Sequence, residues 1–211
     1  MKNIKFSLRK CWSFLLLAVI LGLGGCSQPQ KSQSPAEGRA PAPPEENVIY
    51  LAGGCFWGLQ KFLDQFDGVS ETEVGYANGP EESTHPSYED VCNNSGHAET
   101  VRVMFDENVL PLEKLLEYYF MVIDPLSVNR QGHDTGIQYR TGIYYTDLSM
   151  EPVISEYCSR VSDKIGSPLA VEVIPLDNFY SAEEYHQKYL DKKPHGYCHI
   201  PAGYMHISEK E

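Results

Sequence analysis

The order of strand-like and helix-like segments from residue 48 onward is the strongest constraint on the fold. A short apolar run at residues 48–52 predicts a strand that ends at Gly53-Gly54, and apolar residues at three- and four-residue steps predict a helix over residues 55–65. This alternation continues along the chain and predicts an α+β fold, namely a two-layer α/β sandwich with a mixed sheet and a ferredoxin-like core. Residues 192–211 have no clear period and predict an irregular C-terminal segment at the surface. The remaining predicted elements are strands over residues 69–76, 97–105, 140–145 and 170–174, and helices over residues 112–123, 152–164 and 182–190.

The first 25 residues predict an export signal. Four cations and no acid lie in the first ten residues, and an apolar run that ends in small residues follows, which is the pattern of a secretory leader. The run closes on Leu23-Gly24-Gly25-Cys26, which resembles the bacterial lipobox, so Cys26 is predicted to become the lipidated first residue of the mature chain. An uncleaved transmembrane anchor is the alternative for the same run. Both interpretations attach the domain to a bacterial membrane, outside the cytoplasm.

Residues 27–46 predict a flexible tether between Cys26 and one folded domain. They are rich in Ser, Gln, Pro and Ala and hold no aromatic residue, so they cannot bury enough apolar surface to order themselves. Residues 47–211 are enough for a single domain. The full chain has 17 Lys and Arg against 29 Asp and Glu, a formal charge of −12, and this sign argues against nucleic-acid binding.

Cys55 is the candidate nucleophile among the six cysteines. Two of the six lie within the leader or at its end, which leaves Cys55, Cys92, Cys158 and Cys198. Cys55 follows two glycines and precedes a helix, so its sulfur is expected beside unpaired backbone N–H groups that lower a thiol pKa. The adjoining Phe56-Trp57 offers aromatic walls for a methyl or thioether group. The alternative is a small buried cysteine that only fills space at a tight turn.

Cys198 is the candidate second thiol. It lies in Gly196-Tyr197-Cys198-His199, within the segment that has no period, so a mobile thiol there can reach another cysteine. The alternative in an exported protein is a permanent disulfide that ties this segment to the domain. Cys92 and Cys158 have no activating neighbour in the sequence and are expected to be packing residues.

Glu99 is the candidate proton donor. The period of two in residues 97–105 places Glu99 on the same face as Val101, Val103 and Phe105. A carboxyl desolvated on that apolar face should have a raised pKa and could donate a proton near neutral pH. A solvated side chain is the ordinary alternative for a glutamate on a strand.

Six ordered motifs between about residues 48 and 200 resemble one known family. They are Gly53-Gly54-Cys55-Phe56-Trp57-Gly58, Gly75-Tyr76, Pro86-Ser87-Tyr88, Gly96-His97-Ala98-Glu99, Asp134-x-Gly-x-Gln138-Tyr139-Arg140 and Gly196-Tyr197-Cys198. This set resembles the peptide methionine sulfoxide reductase A family, whose members repair one epimer of oxidised methionine.

The resemblance implies a redox cycle between two cysteines. It implies that Cys55 attacks the sulfur of methionine sulfoxide, that Glu99 gives or shares a proton, and that two tyrosines, Tyr88 and Tyr139, hydrogen-bond the oxygen. Cys55 would then carry a sulfenic acid. By the same resemblance, Cys198 condenses with it to leave a Cys55–Cys198 disulfide.

The resemblance also implies the substrate site and the source of electrons. Phe56, Trp57, Gly54 and Asp134 are implied to line or support the binding site. The substrate is implied to be methionine S-sulfoxide, free or in exported proteins that the enzyme repairs. No bound cofactor is implied, because an external dithiol, a thioredoxin-like protein, reopens the disulfide.

Two other classes of function remain open from the sequence. A thiol peroxidase or disulfide-exchange enzyme would share a reactive Cys55 and a resolving Cys198, but it would not need the carboxyl together with two tyrosines. A surface-anchored binding module would keep the same cysteines as a static disulfide and use the aromatic residues for recognition. A metal site at His195, His199, Cys198 and His206 is disfavoured, because a metal would block thiol chemistry.

Overall fold

In the computed structural model, which describes residues 47–207, the predicted alternation builds one six-stranded sheet and a separate short hairpin. The strands are β1 (Asn47–Gly53), β2 (Val69–Ala77), β3 (Ala98–Phe105), β4 (Arg130–Gln131), β5 (Asp134–Thr135), β6 (Thr141–Tyr145), β7 (Glu172–Pro175) and β8 (Phe179–Ser181). The helices are α1 (Phe56–Leu63), α2 (Tyr88–Cys92), α3 (Leu112–Val122), α4 (Glu151–Ile165) and α5 (Tyr189–Lys192). None of these helices is long and apolar enough to cross a membrane. The predicted leader, Cys26 and the tether lie outside the described residues.

Four central strands form a ferredoxin-like core. The strand order in the sheet is β7-β6-β1-β3-β2-β8, and the pairs β6–β1, β1–β3 and β3–β2 are all antiparallel. The chain passes through this group as β1-α1-β2-β3-α3-β6, which is the β-α-β-β-α-β order of the ferredoxin-like fold. Because β7 pairs with β6 in parallel, the sheet is mixed. The predicted fold class is confirmed.

One face of the sheet packs against α1 and α3. Inward-facing side chains of β1 and β3, such as Ile49 and Val101, share one apolar cluster with Leu59 of α1 and Leu115 of α3. Glu99 is buried as well, and the period of two places it on this face of β3. The carboxyl that was predicted to point into the apolar side does so.

The predicted helix over residues 182–190 is wrong. The structure has β8 first, then a series of turns, and α5 begins only at Tyr189. The Gln187 side chain accepts a hydrogen bond from the backbone N–H of Val74 at 3.0 Å and donates one to its carbonyl at 2.8 Å, and Lys188 has a positive φ of 49°. These contacts outweigh the helical periodicity, because they satisfy backbone groups of β2 beyond the end of its pairing with β8.

Several short elements were not predicted, although the sequence contains a capping motif at the start of one of them, α2. The helix α2 begins with a capping box, in which Ser87 Oγ accepts from the backbone N–H of Asp90 at 3.2 Å and the Asp90 carboxylate accepts from the backbone N–H of Ser87 at 2.9 Å. The Ser-x-x-Asp spacing could have predicted this helix.

The C-terminal segment is irregular, as predicted, but it is not confined to the surface. Ile200 is buried and belongs to the core cluster. Of the two cysteines expected to be packing residues, Cys158 does pack against the core, whereas Cys92 is exposed, so the expectation for Cys92 is wrong.

Arg140 ties three loops to the sheet. Its buried guanidinium donates hydrogen bonds to the carbonyls of Asn78 at 3.0 Å, Gly96 at 3.1 Å and Ile137 at 3.2 Å, and to the carboxylate of Glu172 at 3.0 Å. These bonds join the end of β2, the start of β3 and the turn before β6.

Replacing Arg140 by Met should lower the free energy of unfolding by on the order of 3 kcal/mol, because three carbonyls and a carboxylate lose their donor. Urea denaturation followed by tryptophan fluorescence measures the loss. Arg160→Met is the matched control. Arg160, an exposed residue of α4, pairs with Glu113 and Glu156 and lies over the Tyr157 ring, and its loss should cost only about 1 kcal/mol. Equal losses in the two variants would contradict the role of Arg140.

Candidate active site

Cys55 lies where β1 turns into α1. It precedes the first helical residue, Phe56, and is 6% exposed. Gly54, the residue before it, has a φ of +80°, and a Cβ atom at this position would lie 2.6 Å from the Cβ of Gln131. Only glycine meets both constraints, so this glycine is what lets the chain place Cys55 at the start of the helix.

The Glu99 carboxyl is hydrogen-bonded to this turn. It is 1% exposed, and its Oε2 accepts a hydrogen bond from the backbone N–H of Phe56 at 3.1 Å. Burial raises the pKa of Glu99 to about 8, the charge of Asp134 adds to the rise, and the Phe56 N–H opposes it. The predicted raised pKa is confirmed, and Glu99 holds a proton near neutral pH.

Burial also changes the expectation for Cys55. The pKa of its thiol is raised, first by burial and then by the charge of Glu99, while the backbone N–H of Trp57 at the start of the helix lowers it by less. The predicted lowering of the pKa is therefore wrong, although the helix amide acts in the expected direction. The Cys55 thiol keeps its proton at neutral pH until the sulfur reacts.

Tyr88 and Tyr139 approach Glu99 from two other segments. Tyr88 begins α2, Tyr139 ends the turn before β6, and both are partly buried. Burial raises the pKa of both phenols, and the charge of Glu99 is the second cause in each case. Both phenols stay protonated and can donate hydrogen bonds. The structure therefore brings together Cys55, Glu99, Tyr88 and Tyr139, the four residues proposed from the sequence.

Phe56 and Trp57 have different surroundings. The Phe56 ring is buried against Tyr76 and His186, so neighbouring side chains cover it, whereas an open wall was expected. The Trp57 ring is partly exposed, its indole N–H donates to Nδ1 of His186 at 2.9 Å, and it stacks on Tyr189 with 3.9 Å between ring centroids. Trp57 thus presents an aromatic face that two neighbours hold in place.

Three further residues, Glu183, His186 and Tyr189, support the site, and no motif in the sequence pointed to them. Glu183 accepts a hydrogen bond from the backbone N–H of Tyr88 at 2.9 Å, which anchors the start of α2. His186 and Tyr189 hold Trp57. The three residues lie within the range 182–190, which was predicted to be a helix, so they were not placed at the site.

Cys198 lies against the first turn of α1. A Cβ atom on Gly58 would come within 2.8 Å of the Cys198 sulfur, so the absence of a side chain at Gly58 leaves the space that this sulfur occupies. Cys55 and Cys198 are both free thiols in this structure, and burial raises the pKa of Cys198. Asp134 accepts a hydrogen bond from the Tyr197 hydroxyl at 3.0 Å and so contacts the segment that carries Cys198.

The disfavoured metal site finds no support in the geometry. Within residues 47–207, no three His, Cys, Asp or Glu side chains are placed to hold a metal ion. The histidines at 195, 199 and 206 and Cys198 therefore do not form a ligand cluster.

Comparison with known proteins assigns the family. The family described as peptide methionine sulfoxide reductase matches residues 47–210. The chain belongs to this family. Two relatives named peptide methionine sulfoxide reductase MsrA support the assignment. The protein of Lachnoclostridium phytofermentans is 57% identical over 154 residues, which cover 72% of this chain and 92% of the relative. That of Clostridium acetobutylicum is 55% identical over 154 residues, which cover 72% and 94%.

Solved structures of methionine sulfoxide reductases share the fold. Mxr1 from Saccharomyces cerevisiae in reduced form superposes with a TM-score of 0.69 at 37% identity, over 72% of this chain and 88% of that one. Methionine sulfoxide reductase A of Corynebacterium diphtheriae superposes with a TM-score of 0.65 at 30% identity, over 75% and 84%. The chain is an oxidoreductase of the methionine sulfoxide reductase A type, and the resemblance seen in its motifs is confirmed.

Glu99 should make the stability of this reductase fall as the pH rises. Its pKa is raised from 4.5 to about 8 in the folded protein. Between these values the folded state binds more protons than the unfolded state, so the free energy of unfolding decreases with increasing pH. Glu99→Gln should remove this dependence. At about pH 8, the free energy of unfolding of the variant should be higher than that of the wild type by on the order of 1 kcal/mol or more.

Urea unfolding at several pH values between about 5 and 8 tests this dependence. Glu117→Gln, which changes an exposed glutamate of α3, is the control and should leave the pH dependence unchanged. The same pH dependence in wild type and Glu99→Gln would show that Glu99 is ionised in the folded protein.

Proposed function

We propose that this reductase converts methionine S-sulfoxide, free or in polypeptides, to methionine, with Cys55 as nucleophile and Glu99 as proton donor. The observation that carries the proposal is the buried Glu99 carboxyl, hydrogen-bonded to the amide of Phe56, the residue after Cys55. The oxygen of a sulfoxide is a poor leaving group unless it is protonated or strongly hydrogen-bonded, and a carboxyl with a raised pKa holds the needed proton near neutral pH.

In the first step Cys55 is oxidised and the substrate is reduced. The Cys55 sulfur attacks the sulfoxide sulfur while Glu99 protonates the oxygen, and Tyr88 and Tyr139 donate hydrogen bonds to that oxygen as its charge develops. The oxygen passes to Cys55, which becomes a sulfenic acid, and methionine leaves. The proton of the Cys55 thiol replaces the one that Glu99 gave, so the carboxyl ends the step unchanged.

In the second step Cys198 resolves the sulfenic acid. The Cys198 sulfur attacks the Cys55 sulfur, the S–O bond breaks, and the hydroxide takes up the Cys198 proton and leaves as water. The position of Cys198 against Gly58 supports this pairing. An external dithiol protein of the thioredoxin type then reduces the disulfide, so the cycle needs no bound cofactor.

The substrate side chain would lie beside Trp57. His186 and Tyr189 hold this indole next to the start of α1, where its face can contact the methyl group on the substrate sulfur. Three residues would support the site: Phe56 from the core, Gly54 from the turn before Cys55, and Asp134 from β5.

We further propose that the reductase works outside the cytoplasm as a lipoprotein and repairs exported proteins. The cation-rich start, the apolar run and the motif that ends at Cys26 support export and lipidation. Residues 27–46, which hold no aromatic residue, would link the lipid to the domain.

The two epimers of methionine sulfoxide should be distinguished by the enzyme. With dithiothreitol as reductant, the purified protein should reduce the S epimer of N-acetyl-methionine sulfoxide and not the R epimer, as followed by mass spectrometry of the product. Cys55→Ser should abolish turnover because the nucleophile is lost. Glu99→Gln should slow methionine formation by on the order of 100-fold or more, because positioned proton transfer contributes at least that much.

The pH dependence separates this reaction from other thiol chemistry. Methionine formation by the wild type should decline as the pH rises through about 8, where Glu99 loses its proton. Folded wild-type protein that reduces neither epimer would contradict the proposal, and consumption of peroxide instead would favour a thiol peroxidase.

The lipid should be attached to Cys26. In bacteria that express the gene and take up labelled palmitate, the wild-type protein should carry the label and sediment with membranes, whereas Cys26→Ser should carry none. Cys92→Ser, which changes an exposed cysteine of the folded domain, should remain labelled. Unlabelled wild-type protein in the cytosolic fraction would overturn this part of the proposal.

A further inference from the structure

The segment that carries Cys198 has an unusual pattern of burial. It is irregular, and Tyr197 is 45% exposed. The side chain of His199, two residues later, is only 4% exposed. Because regular backbone hydrogen bonds do not hold this segment, its position depends on side-chain contacts, and His199 is one of the groups that make them.

Asp134 contacts the residues on both sides of Cys198. Its Oδ1 accepts a hydrogen bond from the Tyr197 hydroxyl at 3.0 Å, and its Oδ2 lies 4.0 Å from Nδ1 of His199. These last two atoms are buried, and neither has a hydrogen-bond partner among residues 47–207. A single carboxylate from β5 therefore contacts the segment on either side of the resolving thiol.

The His199 ring also lies against the turn that precedes Cys55. A Cβ atom on Gly54 would be 3.0 Å from Nε2 of His199, and a Cβ atom on Gly132 would be 3.6 Å from the His199 Cβ. Burial lowers the pKa of His199, although the charge of Asp134 and the carbonyl of Gly53 oppose this. The ring thus fills the space between the β4–β5 hairpin and the turn before the nucleophile.

We propose that His199 is a positioning residue for the formation of the Cys55–Cys198 disulfide, and that it acts with Asp134 by holding Cys198 against the first turn of α1. The inference rests on the proposed function, in which Cys198 attacks the sulfenic acid of Cys55 and water leaves. The attack requires the two sulfur atoms to be aligned, and small misplacement of a reacting group lowers such rates strongly. His199 does not contact the sulfoxide in this scheme, so the preceding step does not need it.

The experiment separates the two steps in one mixture without reductant. The full-length protein is mixed with excess methionine sulfoxide, and the methionine formed is quantified at successive times after rapid quenching. Sulfenic acid on Cys55 is trapped with dimedone, and the Cys55–Cys198 disulfide is quantified by mass spectrometry. His199→Ala should slow disulfide formation by on the order of 10- to 100-fold and methionine formation much less, so that trapped sulfenic acid accumulates.

Two further variants distinguish positioning from general damage. His199→Gln should restore much of the disulfide rate, because the amide keeps an N–H group that can face Asp134. His195→Ala, which changes an exposed histidine of the same segment, should leave both steps at the wild-type rate.

The outcomes are separable. Wild-type protein that forms no methionine would overturn the proposed function and this inference with it. Wild-type protein that completes both steps, together with a His199→Ala variant that forms the disulfide at the wild-type rate or slows both steps equally, would overturn the role of His199 alone.

Discussion

The hydrogen bond from the Phe56 backbone N–H to the Glu99 carboxyl joins the first turn of α1 to β3 inside the core. The rest of the site depends on this contact, because it sets a buried acid beside Cys55 while both are almost wholly removed from water. The ferredoxin-like sheet makes the contact possible, since β1, which leads into Cys55, is the direct neighbour of β3. Two glycines are also needed around this contact. Gly54 forms the turn before Cys55, and Gly58 leaves room for the Cys198 sulfur.

Burial has one consequence for all four acids at the centre of the site. It raises the pKa of Cys55, Glu99, Tyr88 and Tyr139, so a protein with a formal charge of −12 places protonated, neutral groups around the Cys55 sulfur. The oxygen of a sulfoxide gains negative charge as its sulfur is attacked, and protonated donors aimed at that oxygen stabilise the transition state more than the substrate. The supply of protons, rather than a thiolate formed in advance, is therefore what this arrangement offers.

Local periodicity and short motifs were enough to predict the core of the sheet and the burial of Glu99. The period of two in β3 placed Glu99 in the core because one face of that strand is covered by helices, and the two glycines before Cys55 marked a strand-to-helix turn. The helix over residues 182–190 was predicted wrongly, because the hydrogen bonds between the Gln187 side chain and the backbone of Val74 depend on a strand more than 100 positions earlier in the chain. The pKa of Cys55 was predicted in the wrong direction for a related reason, since the helix N-terminus is visible in the sequence whereas the depth of burial is a property of the folded chain.

The most direct test of the account is the titration of Glu99 itself. In protein labelled with ¹³C at the glutamate carboxyl carbons, NMR spectra recorded across the pH range follow each carboxyl, and the Glu99→Gln variant identifies the Glu99 resonance by its loss. The account predicts that Glu99 titrates with a midpoint of about 8, far above the ordinary value of 4.5. A midpoint near 4.5 would show an ionised carboxylate beside Cys55 at neutral pH and would contradict its assignment as the proton donor.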